Sequence, residues 1–206
     1  MSFDTLASST IVDRTATALT KKGYLPVVVA DAGAALNKVR EIIPAGATTM
    51  NGASKTLEQI GYLEFVKSGK SGWNDLHAPV WGEKDPAKRT IARKQATLSD
   101  YYVGSVAALT ETGEFINASN TGSQLPHIAY NSHNLVFVVS TKKIVPNMAE
   151  AMRRLEDHVF PQEDQNMRSQ FKMGTQISKI LITRQENLQF SGRKIHFVLV
   201  TANLGF

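Results

Sequence analysis

The sequence predicts an α/β fold in which a mostly parallel sheet is flanked by helices. Strand-like and helix-like patterns alternate twice between residues 24 and 67. The apolar, β-branched run Leu135–Val139 has the composition of a central parallel strand. Residues 147–160 carry apolar side chains at helical spacing, as a helix covering such a sheet would. Alternating strands and helices are typical of parallel sheets with covered faces.

Capping and breaking residues set the bounds of the predicted elements. Pro44 ends one helix and Pro161 is expected to end another, because the residue before a proline is driven out of the helical region. The predicted helices cover residues 4–22, 32–43, about 56–67, 86–98 and 147–160. The predicted strands cover residues 24–30, 47–50, 100–109, 114–118, 135–139, 176–183 and 195–201, and residues 162–174 are expected to be irregular.

Two domain-level features follow from the same pattern. Residues 1–23 are expected to form an N-terminal helix that contacts a neighbouring subunit of a homo-oligomer, and residues 24–206 to form the main domain. The loop Ser68–Pro86 carries both tryptophans, Trp73 and Trp81. Their rings either pin the loop onto the core, which we favour, or face a cleft or a partner.

Composition narrows the function classes. The chain has 206 residues and a net charge of +5, and residues 140–206 hold 10 Lys/Arg against 6 Asp/Glu. No basic run is interleaved with aromatic residues, so a solvated face or a small anion is favoured over nucleic acid. No apolar run reaches the roughly 18 residues of a membrane span, and the first residues lack a signal-peptide pattern. A cytoplasmic protein without membrane contact is expected.

Several kinds of site are excluded or disfavoured. The chain has no cysteine, which excludes thiolate metal sites, iron–sulfur ligation and a cysteine nucleophile. Its five histidines show no helical i, i+4 pair, so no metal site is predicted. Serine-hydrolase, Walker and dinucleotide glycine patterns are also missing, and no cofactor is predicted.

The polar loop after the second predicted strand is the leading binding-site candidate. Gly52 allows close backbone approach, and Ser54 is a suitable N-cap for the helix that follows. Lys55 and Thr56 add a positive charge and a hydroxyl near the first helical N–H groups, which favours phosphate or carboxylate binding. The same residues also suit a plain capped helix that binds nothing.

Two further segments are expected at the same edge of the sheet, since ligands gather beyond the carboxyl ends of parallel strands. The turn Thr110–Gly113 would bring Thr112, Gly113 and the carboxylate of Glu111, a candidate base or nucleophile. The segment Ser140–Lys143 would bring Lys142 and Lys143. The alternatives are a solvated turn for Glu111 and an exposed strand end for the lysines.

Four segments together resemble the lactate-utilisation (LUD-domain) proteins. They are NGASKTLEQIG from residue 51, DYYVGSVAALTETGEFINASNTGSQLP from residue 100, LVFVVSTKKIV from residue 135 and VLVTANLGF from residue 198. The resemblance runs in order from about Ala30 to Phe206. It implies a fold similar to ribose-phosphate isomerases, glucosamine-phosphate deaminases and CoA-transferases. It also implies a link to conversion of lactate to pyruvate beside iron–sulfur partner proteins.

The resemblance has two departures. Relatives often carry a cysteine cluster where this chain has the cysteine-free residues 166–188, so a cluster-binding role is excluded. Lys55 stands where relatives often have a small or apolar residue. By analogy with the CoA-transferase branch, Glu111 is the position that could act as nucleophile.

Three functions are compatible with the sequence. The leading one is a cytoplasmic LUD-type protein that binds a small anionic metabolite as an accessory factor in lactate or related carboxylate utilisation, with partner proteins of lactate oxidation. In it, Gly52, Ser54, Lys55, Thr56, Thr112, Gly113 and Lys143 bind the anion. The second is a stand-alone isomerase or acyl/CoA-transferase-like enzyme that uses Glu111. The third is a structural partner that binds no metabolite.

Overall fold

A computed structural model describes residues 3–206 and confirms an α/β fold that begins with an N-terminal helix. The strands, in chain order, are β1 (Leu25–Val29), β2 (Thr48–Asn51), β3 (Asn74–Asp75), β4 (Tyr101–Gly104), β5 (Ala108–Thr110), β6 (Phe115–Ser119), β7 (Asn134–Ser140), β8 (Ile144–Val145), β9 (Lys179–Thr183) and β10 (Lys194–Val200).

Short helices connect most of these strands. They are α1 (Ser9–Lys21), α2 (Ala32–Ile42), α3 (Lys55–Gln59), α4 (Tyr62–Lys67), α5 (His77–Gly82), α6 (Pro86–Gln95), α7 (Met148–Arg154), α8 (Phe160–Phe171) and α9 (Leu188–Ser191). Single turns of 3₁₀ helix follow at Ala96–Leu98 and Thr141–Lys143, and wider π turns at His127–Asn131 and Leu155–Val159.

The main sheet is parallel, with strand order β1-β10-β7-β4-β2-β3 within the described residues. Strand β7 lies inside this sheet and is buried along its whole length, as its continuous apolar sequence predicts. One face packs against α2, α3 and α4 through Val136 and Val138. The opposite face packs through Phe137 and Phe197 against the smaller sheet and α1.

The smaller sheet has the strand order β8-β5-β6-β9. Strand β6 is antiparallel to both of its neighbours, whereas β5 and β8 are parallel. Helix α7 and the π turn that follows it cover the outer face, where Ala151 and Leu155 pack against Ala108 and Ile116. This sheet was not foreseen as a separate layer.

The predicted strand over residues 100–109 is wrong in one respect that matters for function. The chain leaves the main sheet after Gly104 and enters the smaller sheet at Ala108, so the run is two strands joined at Ser105. Both halves are buried and β-like, and hydrophobic pattern alone does not show that they lie in different sheets.

Two helix predictions also need correction. The helix expected from residue 56 to 67 is broken at Gly61, which has φ = 78° and separates α3 from α4. Pro161 does not end the helix that starts after Asn147. The π turn at Leu155–Val159 places Pro161 in the first turn of α8, where a missing N–H is tolerated. Residues 162–171, expected to be irregular, are therefore helical.

The N-terminal helix is packed on its own chain. Val12, Thr15 and Leu19 of α1 are buried, and Leu19 lies in the core with Phe115 and Phe197. Met1 and Ser2 of the expected N-terminal segment lie outside the described residues. Contact of α1 with a neighbouring subunit stays a prediction. Among residues 3–206, no helix combines the length and apolar character needed to cross a membrane.

Candidate functional site

A cavity of about 380 Å³ lies beyond the carboxyl ends of β2, β4 and β7. The segments that leave these strands form its floor, and β6 with the following turn forms one wall. The junction of the second π turn with α8 closes another side. The position is the one at which parallel α/β sheets collect ligands, because loops from several strands converge there.

Lys143 is the most deeply buried charged group that lines this cavity. The single 3₁₀ turn after β7 directs its Nζ to three neutral oxygens. Nζ lies 3.1 Å from Thr56 Oγ1, 3.0 Å from Ser105 Oγ and 3.4 Å from the carbonyl oxygen of Val106. Within residues 3–206, no carboxylate lies within 4.0 Å of Nζ. The site therefore holds a basic side chain without a counter-ion.

The surroundings of Lys143 make its charged ammonium form energetically unfavourable. Burial lowers the pKa of Lys143 well below its usual value, and the charges of Arg154 and Lys142 lower it further. Lys142 is equally buried but lies 3.1 Å from Asp4, which compensates its charge. An anion placed next to Lys143 would supply the compensation that Asp4 gives to Lys142.

Arg154 adds to this positive field from behind the cavity wall. Its side chain is fully buried, its Nη1 donates to the carbonyl oxygen of Ala107, and its Nε and Nη2 have no partner in the described residues. Burial lowers the pKa of Arg154 to about 10, so it stays charged at neutral pH.

The loop after β2 contributes the other predicted anion-binding residues. Ser54 caps α3, its Oγ accepting from the N–H of Leu57 at 3.3 Å. Helix α3 has five residues, so its dipole is short. Lys55 lies at the rim and pairs with Glu58 at 2.8 Å. Thr56 points inward to Lys143. The structure thus brings Gly52, Ser54, Lys55, Thr56 and Lys143 to one cavity.

Gly52 is fixed by close packing. A Cβ on this residue would lie 2.5 Å from the hydroxyl oxygen of Tyr102 and 2.6 Å from Oε1 of Gln124. Those two side chains hydrogen-bond to each other at 3.0 Å, and Gln124 also donates to the carbonyl oxygen of Ala118. The loop after β2 is thereby held against the wall that β6 supplies.

Further polar groups line the cavity. Asn117 donates to the carbonyl oxygen of Ser105 at 2.9 Å, while its buried Oδ1 has no partner in the described residues. Arg93 lies at the mouth of the cavity, where it donates a hydrogen bond to Ser123 Oγ and lies over the ring of Trp81. Glu163 is the one carboxylate residue in the described lining, and burial raises its pKa. Lysine and arginine side chains therefore outnumber carboxylate side chains in the lining.

His127 forms the inner end of this lining. Its ring stacks on Tyr102 with centroids 4.7 Å apart, and its Nδ1 lies 2.8 Å from Ser132 Oγ. Burial lowers its pKa to about 4. The imidazole is therefore neutral at physiological pH and offers the cavity no charge.

A stability test follows from His127. Between about pH 6.5 and 4 the unfolded chain binds a proton at this residue and the folded chain does not, so the free energy of unfolding falls as pH falls, by about 3 kcal/mol. Urea unfolding at both ends of this window should show the loss. His127→Phe keeps the stacked ring and should reduce the pH dependence, leaving the part that comes from His77, His158 and His196, whose pKa values burial also lowers. If the free energy of unfolding depended on pH equally in the wild type and in His127→Phe, the lowered pKa of His127 would be contradicted.

Glu111, Thr112 and Gly113 do not line the cavity. The turn that carries them follows β5 of the smaller sheet, and Gly113 packs beside Leu19 and Lys22 at α1. Glu111 pairs with Arg14 of α1, and its N–H donates to the carbonyl oxygen of Val145. The cause is the break at Ser105, which carries the chain out of the main sheet. A catalytic role for Glu111 stays a prediction without support from this cavity.

Lys142 and Trp73 also lie outside the lining. Lys142 turns to Asp4, and Trp73 donates from Nε1 to the carbonyl oxygen of Ile43 and stacks near Tyr62. Trp81 is half exposed and lines the cavity. Of the two roles that the sequence left open, Trp73 thus packs on the core and Trp81 faces the cavity.

Sequence reasoning missed Ser105, Asn117, Arg93 and His127. The pair Gly104–Ser105 inside an apolar run is the signal that could have marked Ser105 as a strand end. Asn117 is a buried polar residue inside the short strand β6, and a polar residue in such a strand is a similar hint. Arg93 and His127 come from segments distant in sequence, and nothing local indicates that they meet.

The comparisons with known proteins agree with this architecture. The family model described as LUD domain matches residues 12–200. A crystal structure of a DUF162 family protein from Deinococcus radiodurans is similar in fold, with a TM-score of 0.54 at 10% identity, covering 95% of this chain and 99% of that one. No curated protein matches the chain. With the family model spanning nearly the whole sequence, the chain belongs to the LUD-domain family, and this membership supports a role related to lactate utilisation.

Proposed function

We propose that the protein binds a small anionic metabolite in the cavity at the carboxyl ends of β2, β4 and β7. The binding would serve an accessory role in lactate or related carboxylate utilisation. Gly52, Ser54, Lys55 and Thr56 would surround the anion, with Lys143 beneath it. Family membership supports the metabolic context, and the geometry supports the type of ligand.

One observation carries the proposal: Lys143 is buried in the cavity lining, and its partners among residues 3–206 are all neutral oxygens. A buried basic group without a counter-ion costs stability. Such an arrangement is retained where it serves a site, since binding an anion recovers the cost. The cationic rim of Lys55 and Arg93 would attract the same ligand class.

The wider setting is part of the same proposal. The cysteine-free composition favours the cytoplasm as the location. Since the chain has no cysteine to ligate an iron–sulfur cluster, partner proteins would carry the electrons of lactate oxidation. The cavity gives no observation that favours an isomerase or CoA-transferase-like enzyme based on Glu111, because that side chain pairs with Arg14 instead.

A thermal-shift screen tests the proposal. The panel holds sulfate, phosphate, lactate, pyruvate, sugar phosphates and CoA esters. A ligand at about 100 times its Kd stabilises the folded state by about 2.7 kcal/mol, which corresponds to a rise in Tm of about 5–10 °C for a chain of this size. The rise should shrink in the double variant Ser54→Ala/Lys55→Ala. Lys67→Ala, at an exposed position of α4, is the matched control and should leave the rise in Tm unchanged.

The alternatives have distinct outcomes in this screen. Absence of any concentration-dependent shift across the panel would contradict metabolite binding and favour a structural partner protein. A shift that persists fully in the double variant would place the ligand elsewhere on the molecule and contradict the proposed site.

A further inference from the structure

Three lysines near the cavity differ in how their charge is compensated. Lys55 pairs with Glu58, and Lys142 pairs with Asp4. Lys143 has no carboxylate within reach in the described residues and contacts two hydroxyl groups and one carbonyl oxygen. A carboxylate stabilises the ammonium form of a lysine, whereas neutral surroundings and neighbouring cations favour the free amine. Of these three, only Lys143 is therefore placed as a nucleophile.

The contacts of Lys143 suit a neutral amine as well as an ammonium ion. An amine can donate to the carbonyl oxygen of Val106 and to one hydroxyl, and accept from the other. Thr56 Oγ1 and Ser105 Oγ can each donate or accept, so no polar atom of the cluster is orphaned in either form. Lys143 also lines the cavity, where a ligand atom could approach its amine.

We infer that the anionic ligand also carries an aldehyde or ketone group, and that Lys143 Nζ captures this group as an imine. The inference rests on the proposed anion site and names the chemical class of its ligand. Burial among neutral oxygens, beside the cationic Arg154 and Lys142, is the environment in which a lysine amine attacks a carbonyl carbon.

The step balances without an oxidant or reductant. The Nζ lone pair forms a bond to the carbonyl carbon, and the C=O π electrons move to the oxygen. That oxygen then leaves as water, taking one proton from Nζ and one from solvent, and a protonated imine remains. The hydroxyl groups of Thr56 and Ser105, 3.1 and 3.0 Å from Nζ, are placed to relay these protons.

The anionic group of the ligand has a defined part in this chemistry. A protonated imine is a buried cation, as the ammonium was, and no carboxylate of residues 3–206 pairs with the Lys143 amine. The ligand's own anionic group supplies the missing charge. The site should accordingly prefer an anionic carbonyl compound to a neutral one of similar size.

Borohydride trapping tests the inference on the whole chain. The protein is incubated with glyoxylate, an anionic aldehyde, then reduced with borohydride and digested for peptide mass spectrometry. The expected result is a reduced adduct at Lys143, at least about tenfold above that at Lys142 or Lys55, because each of those side chains pairs with a carboxylate. Glycolate, which lacks the carbonyl, should compete with the labelling. Propanal, which lacks the charge, should label Lys143 weakly.

Lys143→Arg separates the two proposals. Arginine keeps a cation at the site but cannot form the imine, so glycolate should still raise Tm while the adduct disappears. If anions bind the wild type but no excess adduct forms at Lys143, the imine is wrong and the anion site stands. If propanal labels Lys143 as strongly as glyoxylate, the ligand class is wrong. If neither anion binding nor labelling occurs, both proposals are overturned.

Discussion

Replacing Lys143 by methionine is expected to weaken anion binding by about 1.5–3 kcal/mol, or about 10- to 150-fold in Kd, because a charge-assisted hydrogen bond is lost. Titration calorimetry with a ligand from the thermal-shift panel measures the change. Methionine has similar length and no charge, so the folded state should be retained or slightly stabilised once the buried amine is gone.

Lys142→Met is the matched control, since Lys142 is the adjacent buried lysine but does not line the cavity. It should lose stability through the broken pair with Asp4 and keep its anion affinity. Equal affinity of wild type and Lys143→Met would contradict the site. An equal loss of affinity in both variants would also contradict the site. It would indicate that the anion responds to the overall positive potential and not to a specific contact with Lys143.

Gly52→Ala is expected to destabilise the protein by about 1–3 kcal/mol and to weaken anion binding at the same time. The added methyl group would lie 2.5 Å from the Tyr102 hydroxyl and 2.6 Å from Gln124 Oε1, so the loop after β2 must move away from its wall. Because Ser54 and Thr56 belong to the same loop, the anion site moves with it. Urea unfolding and calorimetry measure the two effects.

Gly82→Ala supplies the comparison for this substitution. Gly82 ends α5, and a Cβ there meets no atom within 4 Å, so its unfolding free energy should be unchanged or slightly raised. If Gly52→Ala changes the free energy of unfolding and the anion affinity no more than Gly82→Ala does, the close packing of the loop does not support the anion site. That part of the account would then be wrong.

Much of the main sheet was predictable because its signals are local. Neighbouring residues alone indicate the helical spacing of α2, its end before Pro44 and the apolar run of β7. The loop from Gly52 to Thr56 and the basic strand end at Lys143 were predictable for the same reason. The carboxyl ends of parallel strands meet at one edge, so naming the strands located the candidate site.

The incorrect predictions share a different cause. The local sequence does not show which sheet or helix a segment packs against. Residues 100–109 read as one strand, yet the chain crosses at Ser105 into a second sheet. That crossing removes Glu111 from the cavity and puts Ser105 into it. The sequence predicts that Pro161 ends a helix, but the preceding π turn accommodates it in the first turn of α8. Such features depend on tertiary packing, which the local pattern does not record.

Proton uptake on anion binding tests the central claim most directly. In the free protein, burial holds the pKa of Lys143 well below its usual value, and an anion beside Nζ would raise it again. Above the pKa of the free protein, binding must therefore take up a proton, and affinity must fall as pH rises. Below that pKa the ammonium is already present, and no uptake is expected.

The measurement is titration calorimetry with sulfate, or another non-titrating anion from the panel, in buffers of different ionisation enthalpy between about pH 6 and 9. We expect proton uptake by the wild type wherever the pH lies above the pKa of Lys143 in the free protein, and none in Lys143→Met. Binding without proton uptake at every pH, with the same affinity in Lys143→Met, would contradict the account.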